Sequence, residues 1–180
     1  MNIVQPIRDK DDIDEIKSYL KNKSVRDYVL FVFGIHTGLR ISDILELKVK
    51  DVKGTHIRIT EKKTGKPRRS KIPASLKTIL DDYIQNRNDE EYLFQSRKGN
   101  NQPIKRIQAY KILNRAAASI GMDEIGTHTM RKTFGYHLYK KTKDVAMLQK
   151  HFNHHSPSVT LRYIGIDQDW MDKALDDFAL

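Results

Sequence analysis

The chain contains no cysteine, which excludes disulfides, zinc fingers, iron–sulfur clusters and thiol nucleophiles from its chemistry. Long hydrophobic runs are missing as well: the longest, Tyr28 to Ile35, falls far short of a bilayer span and argues against a membrane protein. The opening MNIVQPIRDKDD has no signal-peptide profile, so a cytoplasmic location is the expectation. No low-complexity tract, Ser/Gly linker or internal repeat divides the sequence, and 180 residues suit one domain that buries about two-thirds of its unfolded surface. Acidic residues are outnumbered, 23 Asp and Glu against 33 Lys and Arg, leaving a formal charge of +10. With 38% hydrophobic and 31% charged residues the chain is too apolar for a disordered polyelectrolyte. The positive excess points to a polyanionic partner, nucleic acid first, and its rival is an ordinary solvated basic surface.

The apolar pattern reads as a succession of helices with one β insertion, so the fold class expected is mostly α with a small antiparallel β-sheet (α+β). Asp11 to Asn22 has an acidic start and a basic end, the charge order that the helix dipole favours. Ser24 to Asp27 resembles a capping box before a helix that is apolar nearly all round and stops at Gly38. Ser42 is the expected cap of a short helix over Asp43 to Leu47, placing Arg40 just outside it. His56 to Thr60 alternates with period two and pairs with Arg68 to Ile72 as a hairpin. Further helices are expected over Leu76–Asn86, Lys105–Ile120, His128–Lys141 (capped by Thr127), Val145–Phe152 (capped by Asp144), from Pro157, and over Asp169–Phe178, with a short strand at Tyr92–Phe94.

Arg40 and Arg131 each fall at or just before an expected helix start, where free N–H groups and the dipole favour an anion, and a guanidinium fork matches phosphate oxygens. The pair could clamp one phosphodiester, or be ordinary salt-bridged arginines. His128, three residues before Arg131, shares its helical face and can hydrogen-bond the same phosphate or move a proton. His151, His154 and His155 invite a zinc reading, which we reject: no Glu accompanies them as in HExxH, no Cys exists, and Asn153 with Ser156-Pro157 marks a helix end. No metal and no cofactor is therefore expected. Lys62, Lys63, Lys66, Arg68, Arg69 and Lys71 form the densest basic run, suited to contacts with a DNA backbone, with one turn lysine able to serve as a general acid. A metal-free phosphodiester site needs a nucleophile, for which a tyrosine is suited, but composition does not choose among the eight present.

The ordered motifs Thr37-Gly38-Leu39-Arg40-Ile41-Ser42-Asp43-Ile44-Leu45-Glu46-Leu47, Lys63-Thr64-Gly65-Lys66, His128-Thr129-Met130-Arg131, Phe152-Asn153-His154-His155-Ser156 and Tyr163 resemble the catalytic domain of the tyrosine recombinases, the phage-integrase family, over about Ser24 to Ile164. The resemblance implies that Arg40, Arg131, His128 and His154 surround a scissile phosphate, with Lys63 as general acid, Tyr163 as nucleophile and Asp43 orienting its partners. It implies double-stranded DNA as partner, a covalent 3′-phosphotyrosine intermediate, a homotetramer on DNA, accessory excision or DNA-bending proteins, and a bacterial or phage-encoded, nucleoid-associated enzyme. Residues 1–180 then form a single catalytic domain without the family's N-terminal core-binding domain, and residues 165–180 are either exchanged between protomers or folded back in cis. Asn153 stands where the family has Gly, and His155 replaces a usual Ser. The rivals are a type IB topoisomerase and a DNA-binding regulator that has lost cutting.

Overall fold

A computed structural model describes residues 4–123, 125–176 and 178. Helix α1 (Lys10–Lys23) starts one residue earlier than the sequence indicates, because the Asp9 carboxylate accepts the Asp11 backbone N–H over 2.9 Å and so occupies the cap. Its buried stripe, Ile13, Ile16 and Leu20, lies against α2 (Val25–Thr37), which Ser24 caps. Val29 to Gly34 of α2 are all buried, as an all-round apolar helix requires, and α1, α4 (Ala74–Ile84) and α6 (Thr129–Thr142) pack around it. Each fully buried Leu or Phe there, Leu30 and Phe33 among them, contributes about 1.5–3 kcal/mol.

Gly38 ends α2 in the left-handed region (φ 59°), a conformation that glycine adopts without a Cβ penalty. The chain turns at once into α3 (Ile41–Ile44). The cap of α3 is Arg40, not Ser42, and the helix ends at Ile44 instead of Leu47: one turn is all that fits before a 3-10 turn at Val49–Val52. Strands β1 (His56–Thr60) and β2 (Pro67–Lys71) pair antiparallel, Thr60 opposite Pro67 and His56 opposite Lys71. Tyr92–Phe94 forms no strand; Tyr92 makes only an isolated bridge with Lys48.

Helix α5 (Arg106–Ala118) precedes α6, whose cap is His128 where Thr127 was expected. Helix α7 (Val145–Phe152) starts at Asp144, which accepts the Met147 N–H, and α8 (Pro157–Ile164) starts at Ser156. Asn153 ends α7 at φ 56°, ψ 47°, so it takes the left-handed conformation that the family's glycine would supply. Helix α9 (Ile166–Asp176) begins directly after Gly165, three residues before the expected Asp169, and Phe178 lies beyond it.

Two apolar clusters result. The larger joins α1 to α5 with the hairpin; the smaller joins Tyr136, Leu148, Phe152, Ile164 and Ile166 of α6 to α9. Helix α6 belongs to both, since Met130 lies in the first and Tyr136 in the second.

Candidate active site

The seam between the two clusters gathers the polar groups. Arg131, on the first turn of α6, is 3% exposed and has no carboxylate partner among the described residues. Its guanidinium donates to the carbonyls of Gly38 and Phe152, the latter over 3.3 Å, and lies 4.5 Å from the centre of the Phe152 ring. Burial draws its pKa down to about 10, and it remains a cation at neutral pH. Two helix ends, those of α2 and α7, thus present carbonyls to one buried positive charge, an arrangement favoured at helix C-termini.

Tyr163, on α8, is half-buried against the Phe152 ring (5.4 Å between centroids) and the His154 ring (5.0 Å). Its hydroxyl lies 3.3 Å from Nδ1 of His128. Burial raises the phenol above its usual pKa, while the Arg131 and Arg40 charges pull in the opposite direction. Burial lowers the pKa of His128, helped by Arg106, Arg131, Lys132 and Arg40, so the imidazole is neutral at pH 7. His154 is also lowered, by burial first and then by Arg131, Arg40, His155 and Lys63. The Thr160 hydroxyl donates to the Ser156 carbonyl (3.2 Å), so it accepts from Nδ1–H of His154 (3.1 Å) and leaves Nε2 free. His155 is exposed, and His154 is the histidine that enters the site.

Arg40 donates from Nη1 to Oε2 of Glu61 over 2.8 Å, with both side chains largely buried. Asp43, 4% exposed, accepts the Lys62 backbone N–H through Oδ1 (3.0 Å), which pins the β1–β2 turn to α3. Lys63, exposed on that turn, comes near enough for its charge to act on His154. Arg40, Lys63, His128, Arg131, His154 and Tyr163, spread over 124 positions of sequence, are thus linked around Tyr163 and His154 by contacts or by the reach of their charges, with Asp43 supporting the turn.

The basic residues of the hairpin divide between its two faces. Lys62, Lys66, Arg69 and Lys71 are exposed, although Lys62 pairs with Glu46 over 2.7 Å. Arg68 turns inward: its Nη1 donates to Oε1 of Glu61 (2.9 Å) and to the His151 carbonyl (3.1 Å). His151, pushed down to about 3 by burial and then by the Arg68 charge, lies between the Thr37 carbonyl, 3.1 Å from its Nε2, and Arg68 Nη2, which is 2.8 Å from Nε2 and 3.2 Å from Nδ1. The buried Glu61 and the basic groove of 1380 Å³ bordered by Lys62, Arg97, Lys98, Lys105 and Arg106 were not anticipated from sequence. Among the described residues no cluster of His, Cys, Asp and Glu could hold a metal ion, and no helix is long and apolar enough to cross a membrane.

A half-buried phenol 3.3 Å from an imidazole, with two guanidinium charges acting on it, on this mostly helical frame, is the arrangement expected of a DNA breaking-and-rejoining enzyme of the tyrosine type. The profile of the Phage integrase family matches residues 8–169, and the chain belongs to that family. It is 57% identical over 170 residues to the probable integrase/recombinase YoeC of Bacillus subtilis, covering 94% of this chain and 93% of that protein. Tyrosine recombinase XerA of Pyrococcus furiosus is 26% identical over 172 residues, covering 93% of this chain and 59% of that protein. The chain thus spans nearly all of the Bacillus relative but little more than half of the archaeal one. Among solved structures, a Tn1549 transposon integrase bound to circular intermediate DNA superposes with a TM-score of 0.74 at 20% identity, over 91% of this chain and 63% of that one. The XerH recombinase in a post-cleavage complex gives 0.69 at 22% identity, over 98% and 54%. At these identities the structures establish the shared fold.

Proposed function

We propose that the protein is a site-specific DNA recombinase in which Tyr163 attacks a backbone phosphorus. The Oη–P bond forms as the P–O5′ bond breaks, the phenolic proton passes to His128, and Lys63 protonates the departing 5′-oxygen. A 5′-hydroxyl from a second duplex then reverses the step on a new partner, without metal or nucleotide. Arg40 and Arg131 hold the non-bridging oxygens, where a pentacovalent transition state gathers charge, and His154 offers a further hydrogen bond. The outward Lys62, Lys66, Arg69 and Lys71 contact DNA phosphates. Arg68, assigned with them from sequence, turns away from the outer face, because its donors are engaged by Glu61 and His151.

The observation that carries this reading is the approach of the Tyr163 hydroxyl to His128 beside the buried Arg131. A nicked suicide duplex tests it: the wild type should be trapped as a covalent adduct, and Tyr163→Phe should bind the duplex but form none. An adduct persisting in that variant would remove Tyr163 as the nucleophile. Religation to the same strand alone would place the activity with the type IB topoisomerases, whereas binding without any adduct would leave a DNA-binding regulator.

The assembly is part of the same proposal. Trp170, Met171, Leu175 and Phe178 are all more than half exposed, while Arg8 and Tyr136 hold Asp169 at 2.7 and 2.8 Å. The start of α9 is thus tied to its own chain and the rest offers an apolar face, which suits docking of residues 165–180 on a neighbouring protomer in a DNA-bound homotetramer. A cytoplasmic, nucleoid-associated single catalytic domain, aided by accessory proteins, fits this scheme.

A further inference from the structure

Glu61 lies outside every motif named above, yet its carboxylate touches two of them, through Arg40 and Thr64. It is 6% exposed. Its Oε2 accepts from Arg40 Nη1 (2.8 Å) and from the Thr64 hydroxyl (2.9 Å), and its Oε1 accepts from Arg68 Nη1 (2.9 Å). Arg68 continues to His151 on the last turn of α7, which leads to His154. The main chain of Glu61 is fixed as well, its N–H donating to the Lys66 carbonyl (2.9 Å) and its carbonyl accepting from Gly65 N–H (2.8 Å), so the turn carrying Lys63 closes on this one residue.

Charge explains why the residue is an acid. Arg40, Arg68 and Arg131 bring three guanidinium groups into a space largely shielded from water, where like charges repel with little screening. One carboxylate offsets one of them and leaves two, matching the dianionic character of a phosphorane made from a phosphodiester and a phenolate. Its hold on Arg40 uses a single Nη1 contact, so the other donors of the fork stay available to a phosphate.

We infer that Glu61 is a positioning residue that holds the Arg40 fork and the Lys63-bearing turn in one register. This rests on the strand-cleavage reading above. It touches no reacting atom; it acts through Arg40 directly and through Thr64 on the lysine turn. Its removal loosens both at once while leaving the outer DNA-contacting lysines in place.

The test uses a nicked suicide duplex that the wild-type protein selects from a randomised pool by covalent retention through a denaturing wash. In single-turnover cleavage Glu61→Gln should lower the rate constant by about 10- to 100-fold, with the amplitude and DNA affinity near wild type. Thr64→Val, which loosens the lysine turn by removing its hydroxyl bonds to Glu61 and to the Lys66 N–H but leaves Arg40 held, should show a smaller loss, restored when the scissile 5′-oxygen is replaced by sulfur, a leaving group that needs no proton. The same sulfur should restore Glu61→Gln only in part, because Arg40 stays misaligned. If Glu61→Gln does not fold, Glu61→Asp should give the same loss of rate, its carboxylate being too short to span both arginines. A Glu61 variant that cleaves at the wild-type rate, or whose loss lies wholly in amplitude or in affinity, overturns the inference. A wild-type chain that yields no adduct from any pool fails at the control and overturns the cleavage reading, and this inference with it.

Discussion

Gly135→Ala measures how finely the fold sets Tyr163, the proposed nucleophile. Gly135 sits within α6 where α7 and α8 cross, and a Cβ there would lie 2.6 Å from Ile164 Cγ2 and 2.7 Å from Phe152 Cε2 and Cζ. Ordinary contact begins at 3.4 Å, so a neighbour must retreat by about 0.8 Å. The Phe152 ring is confined by the Arg131 guanidinium over it and by the Tyr163 and His154 rings, so the movement falls on Ile164 and the end of α8. Alanine gains about 1 kcal/mol of helix propensity over glycine, whereas overpacking costs about 1–3 kcal/mol, for a net loss of about 0–2 kcal/mol and a Tm lowered by a few degrees. The kinetic effect should be larger. Ile164 adjoins Tyr163, and misplacing a nucleophile by about 1 Å can cost about 100-fold, so single-turnover cleavage should slow by about 10- to 100-fold. Thermal melting and adduct formation, measured on the same preparation, check this. A variant that melts higher and cleaves at the wild-type rate would show that α8 has slack and that its packing does not position the phenol.

Arg131→Lys keeps the charge but gives up the fork that spans the Gly38 and Phe152 carbonyls; cleavage should fall by about 10²–10³ with DNA affinity much less affected, as kcat and Kd measured separately will show. His151 has a folded pKa of about 3 against an unfolded value of 6.5, so its stabilising effect is complete above pH 6.5 and is lost as pH falls toward 3, by at most about 1.4 kcal/mol per pH unit. In urea melts between pH 7 and 5, His151→Gln should flatten that dependence by one proton, and an unchanged slope would show that His151 titrates normally. DNA affinity should drop by about 10³ between roughly 50 and 200 mM salt for about six phosphate contacts, and a flat salt profile would count against the basic surface as the binding face.

Where a signal was local, the sequence carried it. Ser24, Asp144 and Ser156 cap their helices because each is a short side-chain acceptor before a helical run, and Gly38 ends α2 as expected. Arg40 and His128 were harder to place as caps: neither makes a side-chain cap hydrogen bond, and their side chains go instead to Glu61 and to the Tyr163 hydroxyl. Arg68 could have been read inward by counting back in twos from the buried Ile72, which puts Ser70 and Arg68 on its face and Lys71 and Arg69 on the other. Density of charge drew attention away from that alternation. Glu61 carried the same signal, in phase with the inward Ile57 and Ile59 of β1, but what it does there comes from Arg40, 21 residues before it, and from Arg68. The exposed apolar face of α9 was legible as an amphipathic stripe; whether its cover lies in cis is a matter of packing that periodicity does not encode.

In the proposed mechanism the protonation states tie proton transfer from Tyr163 to the binding of a phosphodiester. Burial raises the pKa of the Tyr163 phenol and lowers that of the His128 imidazole, so both shifts oppose passing the proton between them. The cations that depress His128, Arg106, Arg131, Lys132 and Arg40, are those that a bound phosphodiester would neutralise, and neutralising them returns basicity to the imidazole. At the same time, bond formation to phosphorus withdraws charge from the phenolic oxygen and makes its proton easier to lose. Both changes require the phosphate to sit between the guanidinium groups. In the proposed mechanism the same arginines thus act twice, adding to burial in weakening the base before DNA binds and stabilising the transition state once a phosphate is held.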